Sequence, residues 1–221
     1  MAFEGFLPTK TFFSSTRSFH GHLPEGYLAV TIREATPSDF EKMANVSLRN
    51  AKKYGESSIS KKELIADFAG EGSFQGITHL VAEVDGEFAG YYSVSRDNSF
   101  ITMVNAESGV AHDAYSWGFY VEEKFQSRGI GTRLRLQLQG FRMLFNEGKK
   151  KVFGIVKEKN PVIAYYESIG GKKVENREGE EMFLTHHPLF GTTLRFGSNH
   201  QPIPSEEKSF FYSYDLEKSI K

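Results

Sequence analysis

The segment that most constrains the fold of this 221-residue chain is residues 126–132, Gln-Ser-Arg-Gly-Ile-Gly-Thr. An aromatic, strand-like run precedes it over residues 115–121, and apolar residues at helical spacing follow it to residue 145. This order predicts a strand, a tight glycine turn and a helix. Such a turn presents backbone N–H groups at the positive end of a helix, and Gly129 and Gly131 leave that backbone bare. The segment therefore predicts a binding site for a phosphate or pyrophosphate group.

Two well-known phosphate-binding patterns do not fit this segment. A Walker loop, G-x-x-x-x-G-K-[ST], is absent from the sequence, and Leu134 stands where the dinucleotide fingerprint has its third glycine. The pattern that fits is [QR]-x-x-G-x-[GA], the pyrophosphate loop for acetyl-coenzyme A. On these residues the chain resembles the GNAT superfamily of acyl-CoA-dependent N-acyltransferases.

A second segment, residues 160–171, supports this resemblance. It reads Asn-Pro-Val-Ile-Ala-Tyr-Tyr-Glu-Ser-Ile-Gly-Gly and resembles the second signature of the family, an asparagine, a short helix with a tyrosine, and then Tyr-Glu-x-x-Gly-Phe. One residue is missing between the asparagine and the tyrosine, and Gly171 replaces the aromatic residue. The resemblance spans roughly residues 28–216. It implies an α/β (α+β) fold with a mixed, twisted, mostly antiparallel sheet of about six to seven strands flanked by helices.

The patterns along the chain predict the elements of this fold. We expect an N-terminal extension over residues 1–26 and an N-acetyltransferase domain over residues 27–221, with a long loop at 186–205 before the last strand. Alternation and turn residues predict strands at 27–33, 80–84, 88–95, 100–104, 115–121, 152–156, 172–176, 182–185 and 210–216. Helical spacing predicts helices from Thr36, at 61–69, after the glycine loop and at 161–168, with a polar turn at 50–60.

The composition is that of a globular protein with no strong charge bias. Lys and Arg number 27 against 28 Asp and Glu, which gives no reason to expect a nucleic-acid or membrane surface. No run of ~18 apolar residues occurs, and cysteine is absent, which excludes a thiolate metal site and a cysteine acyl-enzyme. His186, His187 and His200 stand close in sequence, but they lack a carboxylate pattern, and we expect no metal site. We expect a cytoplasmic protein.

The resemblance implies that acetyl-CoA is the co-substrate and that two strands splay apart to admit its pantetheine arm. The backbone of the loop would hold the pyrophosphate, the strand before it would pair with the arm, and Asn160 would bond the arm from the other side. The implied cofactor-binding residues are Phe119, Tyr120, Val121, Gln126, Ser127, Arg128, Gly129, Ile130, Gly131, Thr132, Asn160 and Tyr166.

The implied reaction is direct attack of a primary amine on the thioester within a ternary complex. A backbone N–H at a β-bulge near residues 120–121 would polarise the carbonyl, since Gly118 permits a bulge. Tyr166 is the expected acid, because a phenol of pKa about 10 can protonate a thiolate whose own pKa is about 8.5. Its neighbour Tyr165 would point elsewhere on the helix. The expected base is Glu122, placed on the face of Ser116, Gly118 and Tyr120, with Glu123 and Glu34 as alternatives.

The sequence leaves several properties open. The amine acceptor is not specified, and residues 50–60, 96–113 and 186–205 are the expected walls of its site. A non-catalytic acyl-CoA-binding or assembly module with the same fold is the alternative function, and a longer acyl chain is an alternative to acetyl. The aromatic final strand and the loop before it suggest a homodimer.

Overall fold

We describe a computed structural model of the chain. It covers residues 29–53, 60–71, 76–96, 98–126, 132–157, 162–174, 181–187, 191–197 and 206–220. The proposed extension 1–26 lies outside these residues, as do Ser127, Arg128, Gly129, Ile130, Gly131 and Asn160 of the expected cofactor site.

A single sheet runs through the described part of the chain. Its nine strands are β1 (Val30–Glu34), β2 (Ile77–Val84), β3 (Glu87–Ser95), β4 (Ala114–Val121), β5 (Lys151–Lys157), β6 (Lys172–Lys173), β7 (Glu181–His187), β8 (Gly191–Gly197) and β9 (Glu206–Asp215). Their order across the sheet is β1-β2-β3-β4-β5-β9-β7-β8, and β6 also pairs with β9. Every pairing is antiparallel except that of β4 with β5. The predicted fold class, a mixed and mostly antiparallel sheet flanked by helices, is confirmed.

Helices cover both faces of this sheet. They are α1 (Pro37–Lys53), α2 (Lys61–Phe68), α3 (Asn98–Ser108), α4 (Thr132–Asn146), α5 (Ile163–Ser168) and α6 (Leu216–Ser219). One core cluster joins α1 and α2 to β2 and β3, and a smaller one joins α3 to β4 and β5. The largest cluster lies on the opposite face, where Leu136, Phe141 and Leu144 of α4 pack on the sheet beside α5 and α6. The two faces are called below the α1 face and the α4 face.

Local sequence signals explain the start of α1 and the hairpin between β2 and β3. Asp39 in the first turn of α1 accepts hydrogen bonds from the backbone N–H of Thr36 and from Arg33. These bonds, that of Arg33 first, hold the pKa of Asp39 well below its usual range. Between β2 and β3, Asp85 and Gly86 both have positive φ, 51° and 80°, which is what a two-residue hairpin turn requires. The predicted Asp-Gly hairpin is thereby confirmed.

The predicted strand at 100–104 is wrong, because these residues lie inside α3. Phe100, Ile101 and Val104 share one helical face and pack against Phe153 of β5. A short run of β-branched and aromatic residues fits either a strand or a buried helix. Contact with a strand fifty residues further on, which the sequence does not show, decides for the helix.

The C-terminal part contains more strand than the sequence suggests. The segment expected to be a loop, 186–205, contains β8 and the end of β7, which form an antiparallel hairpin from Glu181 to Gly197. The glycines and prolines of this segment suggested a loop, whereas Gly191 and Gly197 in fact bound a strand. The last strand is also longer than predicted, since β9 begins at Glu206 and pairs with β5 and β7. It ends at Asp215, whose carboxylate accepts from the Lys218 N–H and caps α6. At the other end of the domain, α1 continues to Lys53 and takes up part of the expected turn.

Candidate active site

A gap opens between the two central strands, β4 and β5. Their backbones are in register over three consecutive pairs, from Ala114–Val152 to Ser116–Gly154, and pairing ends there. Strand β4 nevertheless continues to Val121, and β5 also runs on. The two strands therefore separate beyond Ser116, on the side where β4 leads into the glycine loop. This is the splay that the family resemblance implied.

A β-bulge lies in β4 at the start of this gap. Ser93 of β3 is opposite Gly118, whereas the next residue, Val94, is opposite Ser116, so Trp117 is the additional residue. The bulge was expected near residues 120–121 and is instead about three residues earlier. Gly118 permits it, as the sequence suggested, but its position depends on the register with β3.

The bulge changes which side chains share a face. Trp117 packs on Phe68 of α2, with ring centroids 5.7 Å apart, and a Cβ on Gly118 would lie 3.2 Å from the ring of Tyr91. Both positions therefore point to the α1 face, as residues of a bulge do. The hydroxyl of Ser116 lies on the α4 face, near Tyr92. The expectation that Ser116 shares a face with Glu122 is wrong for this reason.

The backbone of β4 alternates between β3 and the gap. The Glu122 N–H donates to Ala89 O of β3 at 2.8 Å, and the carbonyl of Tyr120 is directed at Gly90 of β3. Because successive residues of a strand direct their N–H and C=O groups to opposite sides, the backbones of Phe119 and Val121 are directed toward the gap. An extended ligand in the gap would meet the backbone groups of these two residues, as the sequence predicted. Tyr120 is the exception, since its backbone belongs to the β3 pairing.

Gln126 connects the end of β4 to the glycine loop. Its side-chain Nε2 donates to the Val121 carbonyl at 2.6 Å, on the side of the strand that is directed toward the gap. Strand β4 ends at Val121, a short 3₁₀ turn spans Glu123–Phe125, and α4 begins at Thr132. The expected pyrophosphate loop is thus bracketed by a strand and a helix N-terminus, as the sequence predicted, while residues 127–131 themselves lie outside the described residues.

Tyr166 of α5, the expected acid, lies on the α4 face close to the gap. Its ring is 5.8 Å from Tyr212 and 6.3 Å from Tyr214, both on β9. Burial raises the pKa of Tyr92 on the α4 face and of Tyr115 on the α1 face, and the Tyr166 phenol raises both further. The ring contacts place Tyr166 on the α4 face against β9, the strand next to β5.

Tyr165, the neighbour of Tyr166, also faces the interior. Its hydroxyl donates to Oε1 of Gln137 on α4 at 3.1 Å, and its ring lies 6.0 Å from Phe119 of β4. The sequence suggested only that Tyr165 points away from Tyr166. Gln137 itself could not be singled out, because its amide is one of several polar groups in the predicted helix.

Glu122, the expected base, forms an ion pair with Arg49 of α1. The glutamate side chain is 21% exposed and the arginine side chain 57%. Glu122 therefore lies at the rim of the site on the α1 face, where its carboxylate is engaged. Of the two alternatives, Glu123 begins the 3₁₀ turn, and Glu34 lies on β1, which β2 and β3 separate from β4.

A buried aromatic cluster lies behind the bulge on the α1 face. His79 of β2 is enclosed by Phe40, Phe68 and Trp117, and its Nδ1 is 2.6 Å from the hydroxyl of Ser93. Burial lowers the pKa of His79 to about 4, so the imidazole is neutral at physiological pH. The strand predicted from the sequence begins at Leu80, so the sequence did not single out His79.

Two features are absent from the described residues. No group of three or more histidine or carboxylate side chains comes together there in a way that would hold a metal ion. None of the helices found there has the length and apolar content needed to cross a lipid bilayer.

Several solved acetyltransferases have a similar fold, and two of them contain acetyl-CoA or coenzyme A. The ribosomal-protein-S18-alanine N-acetyltransferase of Escherichia coli aligns with a TM-score of 0.54 at 16% identity, over 85% of this chain and 94% of its own. The protein yncA of Salmonella typhimurium, solved with its cofactor acetyl-CoA, gives 0.54 at 18% identity over 85% and 94%. The PaiA N-acetyltransferase of Thermoplasma acidophilum, in complex with coenzyme A, gives 0.50 at 16% identity over 84% and 99%. At these identities the likeness shows the fold alone, which this chain shares with these acetyltransferases.

The match of the sequence to a protein family is more specific than the likeness of the fold. The family described as Acetyltransferase (GNAT) matches residues 44–170, which is more than half of the chain. The match includes residues 126–132 and all but the last residue of the segment 160–171. The chain belongs to this family. Among proteins with curated descriptions, none matches the sequence significantly.

Proposed function

We propose that the protein transfers the acetyl group of acetyl-CoA to a primary amine, by direct attack within a ternary complex. The observation that carries this proposal is the gap between β4 and β5, which opens beyond Ser116 and is followed by the loop that precedes α4. Two of the similar structures contain acetyl-CoA or coenzyme A. Membership of the family supports the same reaction class.

The residues around the gap have the chemistry that this reaction needs. Backbone N–H groups at Phe119 and Val121 are directed toward the gap and would hold the pantetheine arm or polarise the thioester carbonyl. Tyr166 would protonate the departing thiolate. Glu122 would accept a proton from the ammonium, directly or through water, so that the free amine can attack.

One observation favours a second candidate, the non-catalytic acyl-CoA-binding module. Arg49 engages Oε1 of the Glu122 carboxylate, and this ion pair stabilises the charged carboxylate, whereas a general base has to take up a proton. If the pair serves only to anchor α1, the site would bind the cofactor without a dedicated proton acceptor. Substitution of Tyr166 separates the two candidates, because only an enzyme loses turnover.

Calorimetric titration of the purified chain with acetyl-CoA is the first test. Saturable binding of one molecule per chain supports both candidates, and a screen of amine acceptors with detection of free CoA then tests the transfer. Absence of binding at millimolar acetyl-CoA would contradict both. Binding without transfer to any lysine, N-terminal, polyamine or aminoglycoside acceptor would favour the module.

We also propose that the chain forms a homodimer and that its partner is an amine acceptor, with no nucleic-acid or membrane partner. Sedimentation equilibrium tests the dimer, because a mass near one 25.0 kDa chain would contradict it.

A further inference from the structure

Three buried polar atoms on the α4 face have no hydrogen-bond partner among the residues that the structure describes. They are the hydroxyl oxygens of Tyr92 and Tyr214 and the Nε2 atom of Gln137. All three residues are at most 1% exposed. Ser116 lies near the Tyr92 hydroxyl and Gln137 near the Tyr214 hydroxyl, but neither contact has hydrogen-bond geometry. Buried groups of this kind are costly unless they are paired, and in native proteins ordered water is the usual partner.

The packing of α4 brings these three residues together. Phe141 of α4 contacts both tyrosine rings, with centroids 6.5 Å from Tyr92 and 5.2 Å from Tyr214. Gln137 is one helical turn before Phe141 and therefore lies on the same side of α4. Gly140 completes the arrangement, since its lack of a side chain admits the Tyr92 ring. We call Tyr92, Gln137 and Tyr214 the polar nest.

The polar nest adjoins both tyrosines of α5. The amide of Gln137 accepts from the Tyr165 hydroxyl through Oε1, which leaves Nε2 directed away from Tyr165. Tyr166 packs against Tyr214, and its phenol acts electrostatically on both tyrosines of the nest. Whatever occupies the nest therefore lies beside the amide that binds Tyr165 and beside Tyr214, against which Tyr166 packs.

We propose that the polar nest binds ordered water and that, through this water, Gln137 positions the phenol of Tyr166 at the gap. Two hydroxyls that can donate or accept, and one amide N–H that donates, match the three hydrogen bonds that a buried water molecule typically makes. The water site does not depend on the proposed reaction. The positioning role does, because it takes Tyr166 to be the acid of that reaction.

The sign of a stability change tests whether the nest is occupied. Tyr92→Phe and Tyr214→Phe remove one hydroxyl each. If the hydroxyls bind water, we expect each variant to lower the melting temperature by about 2–4 °C, the shift that corresponds to one lost hydrogen bond in a chain of this size. If they are unpaired, the variants will be unchanged or will melt at higher temperature, and the proposal fails. Tyr91→Phe is the matched control, because the Tyr91 hydroxyl is fully buried and lies 2.7 Å from Ser47 Oγ.

A crystal structure of the full chain then distinguishes water from direct bonding. We expect a density peak within about 3.2 Å of at least two of the three atoms. Direct hydrogen bonds of Tyr92 to Ser116 and of Tyr214 to Gln137, with no peak between them, would overturn the water site.

Kinetics test the positioning role. With an accepted amine, Gln137→Leu should lower kcat about tenfold or more and displace the alkaline limb of its pH profile, while the Kd for acetyl-CoA stays unchanged. An unchanged kcat and pH profile would overturn the positioning role. If the wild-type chain binds no acetyl-CoA, the proposed function fails instead, and the stability and crystallographic tests of the water site still stand.

Discussion

Arg49 of α1 and Glu122 at the end of β4 form an ion pair that joins the first helix to the central strand, across 73 residues of sequence. This pair makes the role of Glu122 testable, because each partner can be removed separately. Glu122→Gln should lower kcat about 10²–10⁴-fold if the carboxylate is the base. Arg49→Gln should retain most of the activity, since it leaves that carboxylate in place. Steady-state kinetics with a saturating amine measure both.

The alternative role for Glu122 gives a different pattern. If the glutamate only anchors α1, the two variants will behave alike, with a loss of about 0–1 kcal/mol in the free energy of unfolding, as for exposed ion pairs. Equal kcat values for Glu122→Gln and Arg49→Gln would therefore remove Glu122 from the mechanism.

The adjacent tyrosines of α5 should respond differently to loss of the hydroxyl. Tyr166→Phe should lower kcat about 10²–10⁴-fold while acetyl-CoA still binds, because only proton donation to the thiolate is lost. Tyr165→Phe removes the hydrogen bond to Gln137 and should cost about 1 kcal/mol of folding stability, with a smaller effect on kcat. Calorimetry and kinetics on both variants check this. A Tyr166→Phe enzyme with wild-type turnover would exclude it as the acid.

Much of the site could be predicted because its signals are local. The glycine motif lies between a strand and a helix start, and the Asp85-Gly86 turn needs only two residues with positive φ. The ion pair of Arg49 with Glu122 and the hydrogen bond of Tyr165 to Gln137 join residues 73 and 28 positions apart. Such pairs depend on how helices pack on the sheet, which hydrophobic periodicity does not specify.

The predictions that were wrong also depend on contacts between residues far apart in the sequence. The bulge at Trp117 depends on the register of β4 against β3, and a shift of one residue exchanges the faces of the sheet. The helix α3 and the strand β8 were missed because short segments follow the contacts that they make. Local propensity gave the wrong element for α3 and only a loop for β8.

Gly140 of α4 should be intolerant of a side chain, contrary to the usual rule for helices. A glycine inside a helix is ordinarily about 1 kcal/mol less favourable than alanine. Here a Cβ would overlap Cε1 of Tyr92, whose ring is fully buried. Gly140→Ala should therefore destabilise the protein by about 1–3 kcal/mol, as overpacked cores do. Urea denaturation measures the change.

A neighbouring position provides the control for this prediction. Gln139→Ala lies on the exposed side of the same helix and should leave stability within about 0.5 kcal/mol. A Gly140→Ala variant that is more stable than the wild type would show that Tyr92 does not pack against α4 as described.

Mild acid should destabilise the fold through two buried histidines. Burial lowers the pKa of both His79 and His112 to about 4, against an ordinary value of about 6.5 in the unfolded chain. Between these values the unfolded chain binds more protons than the folded one. The free energy of unfolding should therefore fall as the pH falls from 6.5 to 4, by up to about 1.4 kcal/mol per pH unit for each histidine.

Substitution of His79 isolates its share of this dependence. In His79→Gln the titrating group is gone, so the free energy of unfolding should fall less steeply between pH 6.5 and 4 than in the wild type, whatever the variant costs at neutral pH. Asp39, whose pKa is lowered mainly by its bond to Arg33, affects stability only at lower pH, since its contribution is complete above its unfolded value near 4. Urea titrations at several pH values supply the slopes. Equal slopes in the two proteins would mean that His79 accepts its proton in the folded state as readily as in the unfolded chain, and that the cluster of Phe40, Phe68 and Trp117 does not exclude water from it.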